Sequence, residues 1–239
     1  MVPSHPATEP APDLLAEASQ RLIRTVDGLE DEAWARPSGL PGWSRAHVIA
    51  HLVLNAEGLT GALRGLVAGE PTPMYRSQEA RNSDIDELAS ADPAELRDRL
   101  LGATTELADA IGAVPEDLGG AVLERVPGGA RTFRAATAPG MRLSEVEIHH
   151  ADLDVGYTAA DWPPVFAASV VDSMRKRDSW STPFTGRATD LDRSWTFGAG
   201  AEAGPTVSGT AADLAWWLTG RGSGEGLTSD GELPGIEGW

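Results

Sequence analysis

MRLSEVEIHHADLD, residues 141–154, is the stretch on which the reading of this chain turns. It reads as a helix opened by Pro139 and running to about Tyr157, with Glu145 and His149 four residues apart. Such residues are separated by about 40° of rotation and about 6 Å of rise, so both side chains reach toward one point. A convergent carboxylate and imidazole supply two of the ligands that a zinc-type site requires. His150 projects about 100° away from His149, so only one of the pair shares the face of Glu145. His149 is the one expected there. His150 is expected to face solvent or a neighbouring helix, and Glu147 to be surface charge.

The third ligand is sought in a second helix, SRAHVIAHLVLNAEGLTGALRGLVAG (44–69), with Ser44 as its N-cap and Gly69 and Pro71 closing it. Four of the five histidines fall in two helical groups, His47/His51 here and His149/His150. A lone histidine on an apolar helix face is usually packed or capping. Two groups on two helices, one of them beside a carboxylate, favour an inward-facing metal site of the kind bundles build from separate helices. His47 lies in the first turn and is expected to cap or to support a ligand. His51, one turn deeper, is the better ligand. A set of His51, Glu145 and His149 leaves a fourth position open, the arrangement of a catalytic ion. With one carboxylate and two neutral imidazoles on a divalent cation, the site keeps a charge near about +1 and favours an incoming hydroxide or thiolate.

The rest of the chain supplies the frame. Leu14, Ala18, Leu22 and Val26 recur every fourth residue in a first helix, Pro12–Leu29. A short helix is expected to end near Ala89, and another to run from Asp92–Pro93 to Ile111. VLERVPGGARTF (122–133) reads as two short strands around a Gly-Gly turn. Four substantial helices within the first 157 residues imply an antiparallel bundle. Beyond it, a helix from Pro163–Pro164 toward Trp180, β-like SWTFG (194–198) and PTVSG (205–209), and a helix AADLAWWLTGR (211–221) imply a smaller α+β domain. The expected division is 1–158 and 159–239.

Composition narrows the function. Asp plus Glu number 36 against 19 Lys plus Arg, a net charge of -17, which disfavours nucleic acid and anionic membranes as partners. There is no cysteine, so no protein thiol can act as nucleophile or ligand. No apolar run reaches the roughly 18 residues of a membrane span. The first residues, VPSHPATEPAP, lack the pattern of a signal peptide and read as frayed, with His5 inert. A cytoplasmic protein is expected. In so acidic a chain Arg81 and Arg221 stand out as candidate grips for a substrate carboxylate, although an arginine just past a helix end, as at 221, can serve only the helix dipole. Tryptophans 43, 180, 195, 216, 217 and 239 read as core or domain-interface residues.

GWSRAHVIAHL (42–52), TPMYRSQEARN (72–82), EVEIHHADL (145–153) and GRGSGEGLTSDGELP (220–234) together resemble the mycothiol-dependent maleylpyruvate isomerases, within the superfamily of DinB-like metal-binding four-helix bundles. The resemblance spans nearly the whole chain. It departs at Glu147, His150 and Ala151 and leaves the ligand positions intact. It implies an α+β protein, a DinB-like bundle followed by a smaller αβ domain. It implies Zn2+ or another divalent metal on His51, Glu145 and His149, and Arg221, Arg81 and Asp152 near the substrate. It also implies mycothiol as thiol cosubstrate, and isomerisation of the dicarboxylate maleylpyruvate to fumarylpyruvate in gentisate breakdown. The alternative on the same scaffold is a mycothiol S-transferase acting on another electrophile. A binding module whose polar clusters are structural is the non-enzymatic reading.

Overall fold

The computed structural model describes residues 12–177, 180–200 and 204–236. His5, the rest of the N-terminal stretch and Trp239 lie outside the described residues. The chain forms two compact units, one closing at Tyr157 and the other opening at Thr158.

The first unit is a four-helix bundle. Its elements are α1 (Pro12–Asp27), the single turn α2 (Asp31–Trp34), α3 (Arg45–Ala68), α4 (Gln78–Leu88), α5 (Pro93–Gly112), a hairpin of β1 (Val122–Glu124) and β2 (Thr132–Arg134), and α6 (Ala138–Asp152). α3 packs against α5 and α6, and α1 packs against the same two helices, which closes the ring; α4 lies on the flank of α3. The expected caps are in place, with Ser44 and Asp92 accepting from backbone N–H groups of the first turns of α3 and α5. α1 contributes the four-residue repeat Ala18, Leu22 and Val26, and α5 contributes Leu96, Leu100, Ala103 and Leu107, all buried. α3 is buried well beyond one apolar face. Val48, Ile49, Leu52, Val53, Ala56, Leu59 and Leu63 bury most of its circumference, as in the central helix of a packed unit.

The chain leaving α3 turns back along it. Gly69 closes the helix in the left-handed region at φ 75°, and Glu70 N donates to Gly65 O. A Cβ at Gly65 would lie 2.7 Å from the carbonyl oxygen of Glu70. The returning strand-like segment is then fixed by Met74 N and Tyr75 N donating to the carbonyls of Glu124 and Arg125 at the hairpin.

The second unit is α+β. α7 (Pro164–Arg175) ends some five residues before the expected Trp180. It is followed by β3 (Phe184–Ala188), β4 (Arg193–Phe197), β5 (Thr206–Gly209), α8 (Ala211–Leu218) and β6 (Thr228–Ser229). The strand order is β4-β3-β5-β6, with β3 and β5 parallel and both outer pairings antiparallel. Phe184 and Phe197 stack with centroids 4.4 Å apart, and Trp217 of α8 meets Phe184 edge-on. Trp195 and Trp217 are core residues, as expected. β3, which the sequence reading missed, is central despite Gly186; the ring of Phe197 covers that position, where a Cβ would lie 3.1 Å from Phe197 Cε2. No helix among the described residues is long and apolar enough to cross a membrane.

Two glycines of α3 separate propensity from packing. In an exposed helix interior alanine is favoured over glycine by about 0.5–1 kcal/mol. A Cβ at Gly61 meets nothing within 4 Å, so Gly61→Ala should gain about that amount. Gly65→Ala should lose about 1–3 kcal/mol through overpacking. Urea unfolding of both variants tests this, and shifts of the same sign would contradict the packing at Gly65.

Candidate metal centre

The end of α6 and the start of α3 are tied together by hydrogen bonds that set the level of the site. Arg45, first residue of α3, donates from Nε to Leu153 O and from Nη2 to Asp154 O, both at 2.8 Å. A cation on the last carbonyls of a helix is favoured by its dipole. In the loop before α3, Gly39 N donates to Asp152 O at 2.7 Å. The helices therefore present the second turn of α3 and the last turn of α6 to one another. His47 is consumed by the cap, with Nδ1 2.7 Å from Ser44 Oγ. His51, a turn deeper, faces α6.

There the three expected residues meet. Glu145 Oε2 lies 2.9 Å from His51 Nε2 and 3.3 Å from His149 Nε2. The two rings stand edge to face with centroids 4.7 Å apart. One donor atom from each residue falls within 4.8 Å of the others. A tetrahedral ion with ligands at about 2.1 Å spaces them by about 3.4 Å, so the cluster matches such an ion with little movement. Both imidazoles are buried, and Glu145 is nearly so. His149 is oriented from behind: Nδ1 donates to Asp152 Oδ2 at 2.8 Å, and Asp152 is itself buried. That bond holds the ring hydrogen on Nδ1 and turns Nε2 toward Glu145.

The electrostatics suit a cation. Burial pushes the Glu145 carboxyl upward, but hydrogen bonds from His149 and His51 outweigh it and hold the group well below the usual carboxylate range. Burial lowers His51 to about 4, which leaves it neutral at neutral pH. Burial also pulls His149 down, yet its contacts with Asp152 and Glu145 prevail and raise it, so positive charge is favoured at that point. The neutral His51 and the ionised Glu145 are in the protonation states that metal ligation needs, and at His149 a bound cation would take the place of a proton.

Around this core stand residues that spacing alone did not nominate. Arg142 lies one turn before Glu145 on the same face of α6, buried, with Nη1 donating to Leu52 O at 2.8 Å and Asn55 Oδ1 at 2.9 Å. Its position, three residues before Glu145 and seven before His149, was the readable signal. Trp43 meets His51 edge-on at 5.7 Å. Arg81, in the first turn of α4, donates from Nη2 to His51 Nδ1 at 3.0 Å and lies 5.7 Å from the centroid of the Tyr75 ring. Arg221 belongs to the second unit, just past α8, with Nη1 donating to Thr219 O and the guanidinium 5.7 Å from the centroid of Trp216.

Comparison with known proteins bears on the same residues. The family model described as the mycothiol maleylpyruvate isomerase N-terminal domain matches residues 15–154. The chain belongs to this family. The isomerase fold extends over the second unit as well. Two crystal structures of the mycothiol-dependent maleylpyruvate isomerase, one of them a histidine-to-alanine mutant, are each 28% identical to this chain with a TM-score of 0.86. Each comparison covers 98% of both chains. No curated protein matches.

In this member of the maleylpyruvate isomerase family, α6 also carries a second polar cluster, and Glu147 requires a correction. It is not surface charge but is buried at 0% exposure. Arg21 of α1 donates to it at 2.6 Å, and the Tyr157 hydroxyl donates to its other oxygen. The reason is α1, which packs on the side of α6 that an isolated helix would leave to water. His150 takes the neighbouring-helix option, with Nε2 2.8 Å from Thr25 Oγ1 and its ring stacked on Tyr157 at 3.8 Å. Arg21→Met should therefore cost about 2–3 kcal/mol, since it removes one partner of a buried carboxylate. Denaturant unfolding measures this, and a loss under about 0.5 kcal/mol, typical of a surface site, would contradict it.

Proposed function

We propose that the chain is a metal- and mycothiol-dependent isomerase that converts maleylpyruvate to fumarylpyruvate, with His51, Glu145 and His149 as ligands of a zinc ion. The observation that carries this reading is the convergence of those three donors, with Asp152 behind His149, in a family member that has no cysteine. Isomerisation about a conjugated cis double bond requires that bond to become single for a moment, and a chain without a thiol must take its nucleophile from outside. A divalent cation at these ligands supplies a Lewis acid that favours the thiolate form of mycothiol at neutral pH.

The chain's own residues do the rest. The thiolate sulfur adds to one alkene carbon, and the electron pair of the double bond moves onto the conjugated carbonyl as an enolate. Rotation about the new single bond follows. Collapse of the enolate re-forms the double bond in the trans geometry and expels the thiolate, so no atom or electron is gained overall. Arg81 holds a substrate carboxylate and balances the enolate charge. Asp152 keeps the hydrogen of His149 on Nδ1, and Trp43 walls off His51.

The test is to incubate zinc-loaded protein with maleylpyruvate, with and without mycothiol, and to identify the product. Fumarylpyruvate formed only with thiol is expected. A persistent thiol adduct would point instead to an S-transferase, and thiol-independent turnover would sink both. His149→Ala should abolish metal retention. Arg221, which the family resemblance implies acts on the substrate, is tested by Arg221→Ala, which should keep the metal and lower turnover by about 10- to 100-fold, the scale of a charge-assisted contact; full activity would show that Arg221 takes no part.

A further inference from the structure

Arg81 and His51 make a contact whose chemistry conflicts with metal ligation. A guanidinium has only N–H donors, so the 3.0 Å bond from Arg81 Nη2 requires His51 Nδ1 to accept through a lone pair. A neutral imidazole with its lone pair on Nδ1 carries its hydrogen on Nε2. That hydrogen is donated to Glu145 Oε2 at 2.9 Å. Nε2 can offer a lone pair to a metal only when the ring hydrogen is on Nδ1, where it faces Arg81 donor to donor. Arg81 on Nδ1 and a metal on Nε2 therefore exclude one another as partners of His51.

The rest of the Arg81 side chain is arranged for a second partner. Its Nε is buried and has no hydrogen-bond partner among the described residues. Nη1 is tethered to Asn82 Oδ1 at 3.2 Å, and the guanidinium lies near the Tyr75 ring, so loss of the His51 bond leaves the group anchored. Nε and the released Nη2 form the side-on edge of a guanidinium, whose two parallel N–H bonds match the two oxygens of a carboxylate.

We propose that metal loading converts Arg81 from a partner of His51 into a two-point grip for a substrate carboxylate, so that the cation must bind before the dicarboxylate. This rests on the metal ligation proposed above. Arg81 thereby becomes a binding residue that the metal-free protein withholds. With Arg81 on Nδ1, His51 is held in the tautomer that bonds Glu145.

Calorimetric titration of the full chain with zinc, followed by maleate as a dicarboxylate probe and without thiol, tests the order. Zinc loading is expected to raise the affinity for maleate by at least about tenfold, the scale of a charge-assisted contact. In Arg81→Lys, which keeps the charge but lacks the flat edge, that gain should be lost while zinc still binds. Histidine 15N spectra should show the His51 ring hydrogen moving from Nε2 to Nδ1 when zinc is added. Maleate binding that is indifferent to zinc, or an undiminished gain in Arg81→Lys, overturns the inference and leaves the metal site standing. A zinc-loaded crystal structure with Arg81 Nη2 still bonded to His51 Nδ1 does the same. Failure to take up zinc overturns the metal site and this inference with it.

Discussion

One carboxylate oxygen, Glu145 Oε2, has two buried imidazoles turned on it, at 2.9 and 3.3 Å. Withdrawing an ionised carboxylate from water is costly unless positive charge or strong donors answer it. Here the answer comes from two helices far apart in sequence, and their alignment is enforced outside the cluster by Arg45 on the carbonyls of Leu153 and Asp154 just past α6 and by Gly39 on Asp152. Those backbone contacts and the polar centre need each other. Without the tie the ligands drift apart, and without a cation or protons at the centre the buried carboxylate opposes the packing.

The helix that carries Glu145 divides its polar residues between two sides. Glu145, His149 and Asp152 turn toward α3, with Arg142 a turn earlier on the same face. Glu147 and His150 turn toward α1, where Arg21, Thr25 and Tyr157 receive them. The first side is arranged for chemistry, the second for locking α6 into the bundle. In a chain with a net charge of -17, placing Arg81 and Arg142 at the centre also gives an incoming anion a local field opposite to that of the molecule as a whole.

Much of this was legible in the sequence, and the residues show why. His51, Glu145 and His149 could be read because helical spacing is a local property, and Ser44, Gly69 and Asp92 could be read because caps have a residue signature. Glu147 could not, since its burial depends on a helix more than a hundred residues away. Arg142 escapes such a reading because arginine is ordinarily a surface residue, although it shares the register of Glu145. β3 was hidden because its Gly186 lacks the β-propensity of a central strand and is tolerated only where Phe197 covers it. Residue chemistry marks the candidate metal ligands; the proposed thiol and substrate rest on the family alone.

The proposed function joins a metal on His51, Glu145 and His149 to an external thiol, and X-ray absorption at the zinc edge tests that join directly. Zinc-loaded protein should show a first shell of nitrogen and oxygen only, with imidazole scattering from two histidines. Addition of mycothiol should bring in one sulfur at about 2.3 Å, and a chain with no cysteine has no thiolate of its own to supply it. A first shell unchanged by mycothiol would contradict the account.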